Sequence, residues 1–289
     1  MQIRSILCPV DFSEASRAAV RTASRFARQF QAGLHVLFVE DPLLAQAEHM
    51  VSPPPDLMGE LRAFLAGTPD LDLPGEPQLH LATGTPDVEI VACAARERID
   101  LTVMGAHGLT GVRKAFFGST TARVLRRTSV PLLVVQASAA VGKARDLEGL
   151  GAVLVLTDFG PAATSASVVA ARLAHAIGAP LVLVHVIPHL SAPQSWRPHA
   201  ATLMERRRTE AHACMCHAMS PLERYGPIES VIAEGSVSEQ VATLARTRHA
   251  GLIALGLERG EAGPRPGSTA YEVICSAPVP VLAVPGEDV

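Results

Sequence analysis

The stretch Ser5-Ile-Leu-Cys-Pro-Val-Asp-Phe12 decides the fold of this chain, because it returns 147 residues later as Ala152-Val-Leu-Val-Leu-Thr-Asp-Phe159. Each copy is a short, mainly apolar run that ends in an aspartate, which is typical of a buried strand in a parallel sheet. In a chain of 289 residues, such a repeat predicts two similar domains of ordinary size. We place them at residues 1–140 and 149–289, with a short linker between them.

The repeat extends outward from this strand over nearly the whole chain. A helix-spaced stripe of apolar residues follows each copy of the strand, and further strands and helices then recur at almost constant offset. The matching segments are Leu34–Val39 with Leu181–Val186, Gly84–Gly105 with Gly235–Gly256, and Val130–Val135 with Val279–Val284. Alternating strands and helices predict parallel sheets with right-handed crossovers. The predicted fold class is therefore α/β, with two tandem Rossmann-like domains, each a five-stranded parallel sheet flanked by helices.

Composition and charge exclude several classes of protein. Hydrophobic residues make up 48% and charged residues 18% of the chain, which is enough to build a core and argues against disorder. A net charge of -3 gives no sign of a nucleic-acid or membrane-surface partner. The apolar run Ile6–Val10 is too short for the core of a signal peptide, and five cysteines without framework spacing suit a reducing compartment. We therefore expect a cytoplasmic protein that contacts neither nucleic acid nor membrane.

The most informative stretch for function is Met104–Thr120, which reads MGAHGLTGVRKAFFGST. It follows a predicted strand and leads into a predicted helix, so its glycines can bring backbone N–H groups close to phosphate oxygens at a helix N-terminus. Ser119 and Thr120 add hydroxyl donors, and Arg113 and Lys114 add positive charge. Asp11 is predicted at the same carboxyl edge of the sheet, where open α/β sheets bind ligands and where a carboxylate suits ribose hydroxyls.

The spacing Gly105-x2-Gly108-x9-Gly118-Ser119 resembles the nucleotide signature of universal stress proteins that bind ATP. The resemblance covers nearly the whole chain in two copies. It implies an adenine nucleotide α-hydrolase-like fold, ATP as ligand with Mg²⁺, a role in the stress response, and pairing of two such domains through their last strands. It also implies an adenine pocket near Val10 and Val39, a ribose contact at Asp11 and triphosphate contacts from the glycine loop. The predicted cofactor-binding residues are Pro9, Val10, Asp11, Val39, Met104, Gly105, His107, Gly108, Arg113, Gly118, Ser119 and Thr120.

Each of these residues has a simpler interpretation when it is taken alone. Asp11 is a plausible helix N-cap, and Gly105 or Gly108 a plausible turn glycine. His107 can be a loop residue without a ligand, and Arg113 and Lys114 can be solvated charges. The complete spacing with its flanking strands is what favours a nucleotide site.

The second copy departs from the signature. Gly256 and Gly267-Ser268 are kept, but ten residues lie between the two glycines instead of twelve, and the segment carries Glu258 and Glu261. Two unit charges about 4 Å apart repel by about 4 kcal/mol at an effective dielectric constant near 20. We therefore predict a degenerate nucleotide motif in this copy, with Asp158 still available for adenosine or AMP.

A separate segment, His212-Ala-Cys-Met-Cys-His217, resembles a metal-binding cluster. One straight helix cannot direct all four of its ligand side chains at one tetrahedral ion, so no metal site is predicted. The favoured interpretation is core cysteines beside exposed histidines, with Met215 as a packing residue. Cys8 and Cys93 are predicted to be buried.

Three functions remain open from the sequence. The first is a nucleotide-dependent binding or switch protein that acts on an unidentified protein partner. The second is an enzyme, at most a slow ATPase, because neither a general base nor carboxylates arranged to hold a metal accompany the phosphate loop. The third is an interaction protein with vestigial sites. In each case the exposed Leu- and Val-rich final strands, Val130–Val135 and Val279–Val284, are predicted to pair within the chain as an intramolecular pseudo-dimer, with any further homodimer using another surface.

Overall fold

The computed structural model describes residues 3–42, 56–106, 118–136, 147–189, 193, 197–260 and 263–286. In the first half of the chain, the alternation predicted from the sequence gives five strands and four helices among these residues. They are β1 (Ser5–Val10), α1 (Glu14–Phe30), β2 (Gly33–Glu40), α2 (Leu57–Ala66), β3 (Gln78–Thr83), α3 (Pro86–Arg96), β4 (Leu101–Gly105), α4 (Ser119–Leu125) and β5 (Leu132–Val135).

The second half repeats this order, with one additional strand. Its elements are β6 (Ala152–Leu156), α5 (Pro161–Ile177), β7 (Leu181–Ile187), α6 (Arg197–Met219), β8 (Ile228–Glu234), α7 (Val237–Thr247), β9 (Ala250–Gly260), β10 (Gly263–Arg265), α8 (Ser268–Ser276) and β11 (Val281–Pro285). The α/β class is confirmed, and so is the set of parallel strands flanked by helices in each half.

The strands of both halves form one continuous sheet. Its order is β3-β2-β1-β4-β5-β11-β9-β6-β7-β8, and all neighbours are parallel except the central pair. There β5 and β11 run antiparallel, with Leu133 opposite Leu282. The prediction that the two final strands lie side by side within the chain is confirmed. Every residue of both strands is buried, so the pairing removes two apolar edges from solvent.

Two apolar layers cover the sheet, one on each face. Small residues allow α1 and α5 to lie close to it: Ala19, Ala23 and Ala27 of α1 are completely buried, and Ala166 and Ala170 of α5 are also completely buried. With so few aromatic residues, the core depends on this close approach of helix to strand.

Three features were not predicted from the sequence. Strand β9 continues four residues beyond Gly256 and forms a hairpin with β10, so that Arg265 lies opposite Glu258. Helix α6 spans 23 residues, of which only His212–His217 were interpreted as helical from the sequence. The amide of Gln136 donates a 2.7 Å hydrogen bond to the Ile274 carbonyl and so links the end of the first copy to the second. None of the helices in the described part of the chain is long and apolar enough to cross a membrane.

Candidate functional site

The carboxyl ends of three neighbouring parallel strands form the candidate site in the first copy. β1 ends at Val10, β2 at Glu40 and β4 at Gly105, and β1 lies between the other two in the sheet. Because these strands are parallel, the residues that follow them meet at one edge, as predicted.

The turn after β1 holds Asp11 in a fixed orientation. Its Oδ1 accepts hydrogen bonds from the backbone N–H of Ser13 at 3.1 Å and from the Ser13 hydroxyl at 2.5 Å. Ser13, not Asp11, is the N-cap of α1, since its side chain accepts from the N–H of Ser16 at 3.1 Å. The N-cap interpretation of Asp11 is therefore wrong: the carboxylate precedes the cap and lies half-buried at the sheet edge. Phe12 supplies the sharp bend with a φ of 62°.

Gly105 is required by packing at the end of β4. A Cβ atom at this position would lie 2.9 Å from the carbonyl carbon and oxygen of Ala15 in α1. Gly256 in the second copy is similar, since its Cβ would lie 2.3 Å from the Ala162 carbonyl oxygen. The retention of this glycine in both copies is thus explained by strand-to-helix packing, independently of any ligand.

Two hydrogen bonds fix the start of α4 against the end of β4. The backbone N–H of Gly118 donates to the Ala106 carbonyl at 2.9 Å, and the hydroxyl of Thr121 donates to the Gly105 carbonyl at 2.9 Å. Gly118 therefore lies at the same sheet edge as Asp11. Next to it the side chain of Ser119 is exposed and that of Thr120 is half-buried.

Arg123 adds positive charge at this helix start. Its Nε lies 3.2 Å from the Ser119 carbonyl oxygen, and its guanidinium also reaches the Ser119 hydroxyl at 3.4 Å. On its other side Nε is 3.4 Å from Oδ1 of the buried Asp87, and Arg127 approaches the second oxygen of the same carboxylate at 3.5 Å. Asp87 Oδ1 has no partner with hydrogen-bond geometry, so the Arg123 contact is an ion pair without a hydrogen bond. Two guanidinium groups share one carboxylate, which leaves net positive charge beside Ser119.

Sequence reasoning missed Arg123, although a signal was present. Arg123 follows Ser119 by four residues, and residues at this spacing share one face of a helix. The matching position in the second copy is Glu272, four residues after Ser268. The two copies therefore carry opposite charge beside the same Gly-Ser-Thr sequence.

The other predicted ligand residues fall into two groups. Pro9, Val10 and Met104 are buried and Val39 is half-buried, at the ends of β1, β4 and β2. His107, Gly108 and Arg113 lie outside the described residues, as does Lys114. The roles assigned to all of these residues stay predictions.

A cavity of about 370 Å³ occupies the corresponding edge of the second copy. Asp158 and Glu258 both line it, together with Gly267, Ser268 and Thr269. The chain reaches Glu258 as part of the β9–β10 hairpin, and its side chain is exposed, whereas Glu261 lies outside the described residues. Because Asp158 corresponds to Asp11, Glu258 is the additional carboxylate here, and its charge disfavours a polyphosphate. A larger cavity of about 670 Å³, lined mainly by apolar groups near Ala174 and Ile228, lies away from this edge and is not part of the site.

The histidine and cysteine segment of α6 differs from its favoured interpretation in one respect. Met215 is buried as predicted, but Cys214 and Cys216 are exposed, like His212 and His217. The interpretation of the cysteines as core residues is wrong, because this part of α6 buries only the line through Ala211 and Met215, and the cysteines lie on either side of that line. Cys8 and Cys93 are buried, as predicted.

Comparison with known protein families gives two matches along the chain. The model of the universal stress protein family matches residues 2–136 and again residues 150–285. The chain belongs to the universal stress protein family. The two matches agree with the internal repeat, and hence with a tandem two-domain member.

Individual relatives agree with this assignment. Universal stress protein MJ0531 of Methanocaldococcus jannaschii is 30% identical over 139 residues, which are 46% of this chain and 82% of the relative. The crystal structure of a universal stress protein from Archaeoglobus fulgidus superimposes with a TM-score of 0.67 at 20% identity, covering 99% of this chain and 100% of that one. A second solved structure, of a universal stress protein in complex with cAMP, is 22% identical; the alignment covers 48% of this chain and 100% of that one, with a TM-score of 0.39.

Proposed function

We propose that this universal stress protein binds one ATP per chain, with Mg²⁺, in its first copy, and acts as a nucleotide-dependent binding or switch protein in the stress response. The observation that carries the proposal is the difference in charge between the two copies at the same place in the fold. Arg123 reaches Ser119 in the first copy, whereas in the second Glu272 takes the sequence position of Arg123 and Glu258 lines the cavity with Gly267, Ser268 and Thr269. A polyphosphate is attracted by the positive charge in the first copy and repelled by the negative charge in the second copy.

The residues of the first copy fit an adenine nucleotide in chemical type. Hydroxyl groups of Ser119 and Thr120 and the guanidinium of Arg123 offer donors and positive charge for phosphates. The half-buried carboxylate of Asp11 can accept hydrogen bonds from ribose hydroxyls, and Val39 offers apolar surface for a base. When bound, Mg²⁺ would neutralise part of the triphosphate charge and would be held chiefly by phosphate oxygens and water, as this ion usually is.

The switch hypothesis has two competitors. A slow ATPase needs a residue that positions or activates water, and no such role is assigned to a described residue. A protein with vestigial sites would bind no nucleotide at all. Nucleotide released on denaturing the purified protein separates the first two hypotheses from the third, and steady-state phosphate release separates the switch from the ATPase.

The protein partner, a cytoplasmic location and any homodimer are part of the same proposal. Occupancy of the first site would alter the surface around the glycine loop, and that surface would meet the partner. In the sheet order, β4 separates β1 and β2 of the first nucleotide edge from the β5–β11 junction.

Calorimetry on the full chain with Mg²⁺ and ATP tests the proposal. We expect a stoichiometry near one and at least tenfold weaker binding by Arg123→Glu, a loss of about 1.4 kcal/mol or more. Arg126→Glu, at an exposed position at the end of the same helix, is the matched control and should bind within about twofold of the parent. Two ATP molecules per chain, no binding by the parent, or equal weakening by both variants would contradict the proposal.

A further inference from the structure

A second group of polar side chains lies in the first copy, at the edge strand of the sheet. His35 is the third residue of β2, His80 is the third residue of β3, and Glu97 immediately follows α3. Because β2 and β3 are parallel, both histidines lie in the amino-terminal halves of their strands. The group is therefore separate from the nucleotide edge, which is formed by the carboxyl ends of the strands.

The three side chains converge on one point. His35 Nδ1 and His80 Nε2 are 3.0 Å apart, and their rings are nearly parallel, with an interplanar angle of 9° and centroids 5.2 Å apart. The two imidazole nitrogens and a carboxylate oxygen of Glu97 all lie within 4.8 Å of one another. Zinc–nitrogen bonds of about 2.0–2.1 Å at a tetrahedral angle place two ligand nitrogens about 3.3–3.4 Å apart. To hold such an ion, the observed nitrogens need to separate by a few tenths of an ångström, and the rings need to rotate so that both lone pairs point at the ion rather than at each other.

We propose that His35, His80 and Glu97 bind a divalent transition-metal ion of the zinc type. Two imidazole nitrogens with one carboxylate suit zinc and its neighbours in the first transition row, whereas Mg²⁺ and Ca²⁺ prefer sets made only of oxygen. Three protein ligands leave at least one coordination position for water or a further ligand.

The surroundings permit a metal to enter and to be held. His35 is buried, but His80 and Glu97 are only partly so, and β3 is the edge strand, so the group is reached from solvent. Glu97 also lies at the C-terminal end of α3, where the helix dipole favours positive charge.

Arg96 is the competing cation at this site. Its Nε donates to one oxygen of Glu97 at 2.8 Å, and its side chain is 59% exposed. An exposed pair of this kind is worth about 0–1 kcal/mol, and the carboxylate has a second oxygen for the metal. Arg96 is therefore a weak obstacle.

The alternative is a purely structural hydrogen bond between the two imidazoles, one of which donates to the other. His80→Gln distinguishes the two, because the glutamine amide nitrogen can stand in for Nε2 as a donor to His35 but is a poor ligand for zinc. If the two histidines only form a hydrogen bond, His80→Gln leaves zinc binding unchanged. If they bind a metal ion, the same variant loses zinc binding. Glu97→Gln offers a second test without touching the buried histidine.

The experiment is a Zn²⁺ titration of the full chain by calorimetry after removal of metals with a chelator. The parent carries Cys214→Ser and Cys216→Ser, so that the exposed thiols of α6 do not bind zinc. We expect one zinc per chain, and at least about 100-fold weaker binding by His80→Gln, since loss of a ligand should exceed the 10–100-fold cost of losing an outer-shell partner. His189→Gln, at an exposed histidine, is the matched control and should bind like the parent.

A second readout checks that the fold is intact. Without zinc, all variants should unfold at temperatures close to that of the parent; with zinc, only the parent and His189→Gln should gain thermal stability, because only a bound ion stabilises the native state. Zinc binding of unchanged affinity in both His80→Gln and Glu97→Gln, or no zinc binding by the parent, would overturn the proposal.

Discussion

Replacement of Leu133 by alanine should destabilise the whole chain through the junction between its copies. Leu133 is completely buried in β5, directly opposite Leu282 of β11. Removing a buried leucine side chain beyond Cβ costs about 2–5 kcal/mol, from lost transfer free energy and the cavity that remains. With a urea m value of about 3 kcal/mol/M, a loss of about 3 kcal/mol lowers the unfolding midpoint by about 1 M. Leu203→Ala is the matched control, because Leu203 is 43% exposed and should change the free energy of unfolding by less than about 0.5 kcal/mol.

The same measurement separates a junction from an ordinary core position. Leu133→Ala, Leu282→Ala and the double variant form a thermodynamic cycle, followed by circular dichroism in urea. Residues in direct contact couple by about 0.5–3 kcal/mol, whereas residues far apart add within about 0.5 kcal/mol. Strict additivity, or a Leu133→Ala cost no larger than that of Leu203→Ala, would show that the two final strands do not pack against each other in solution.

Three further predictions concern the glycine at the end of β4, the free thiols and the histidine–cysteine segment of α6. Gly105→Ala should lower the free energy of unfolding by about 1–3 kcal/mol, because its Cβ would press on the backbone of Ala15; Gly75→Ala, with no atom within 4 Å of the added Cβ, should be nearly neutral in the same urea titration. A thiol reagent at pH 8 should modify two exposed cysteines quickly and two buried ones only on unfolding, because burial raises the pKa of the buried thiols and keeps them in the unreactive protonated form. Mass spectrometry with peptide mapping would identify the modified residues. Fast labelling of a buried thiol in the native chain would contradict the prediction. The fast pair is Cys214 and Cys216, and the protected pair is Cys8 and Cys93. The α6 segment should not hold stoichiometric zinc, which zinc analysis of His80→Gln with the α6 cysteines intact would check.

Much of the fold could be predicted because the signals that determine it are local and occur twice. A buried parallel strand is a continuous apolar run, so β1, β2 and the final strands were all recognisable, and the repeat gave their order. The full extent of helix α6 was missed for a physical reason. Nearly all of its described positions are exposed or half-buried, so it has little of the apolar periodicity by which a helix is recognised.

The candidate site was predicted only in part. Sequence spacing gave Asp11 and Gly118-Ser119, because each follows or precedes an element with a clear pattern. Arg123 needed the helical register as well as the motif. The pair His35 and His80 could not be found from spacing, since 45 residues separate them and only the parallel pairing of β2 with β3 brings them together.

The β5–β11 junction and the nucleotide edge place independent demands on the second copy. The junction requires that β11 remain apolar and correctly aligned, because every residue of β5 is buried against it or the adjoining layers. The proposed nucleotide edge depends on the glycine spacing and on positive charge, and the second copy has instead a shorter spacing, the β9–β10 hairpin and Glu272 at the sequence position of Arg123. A copy can therefore lose the features of the nucleotide edge and still keep those of the β5–β11 junction. On this reasoning the second copy stabilises the fold of the first by covering its final strand, whatever the ligand of its own cavity, and a substitution such as Glu272→Arg should leave the urea midpoint almost unchanged while Leu282→Ala lowers it.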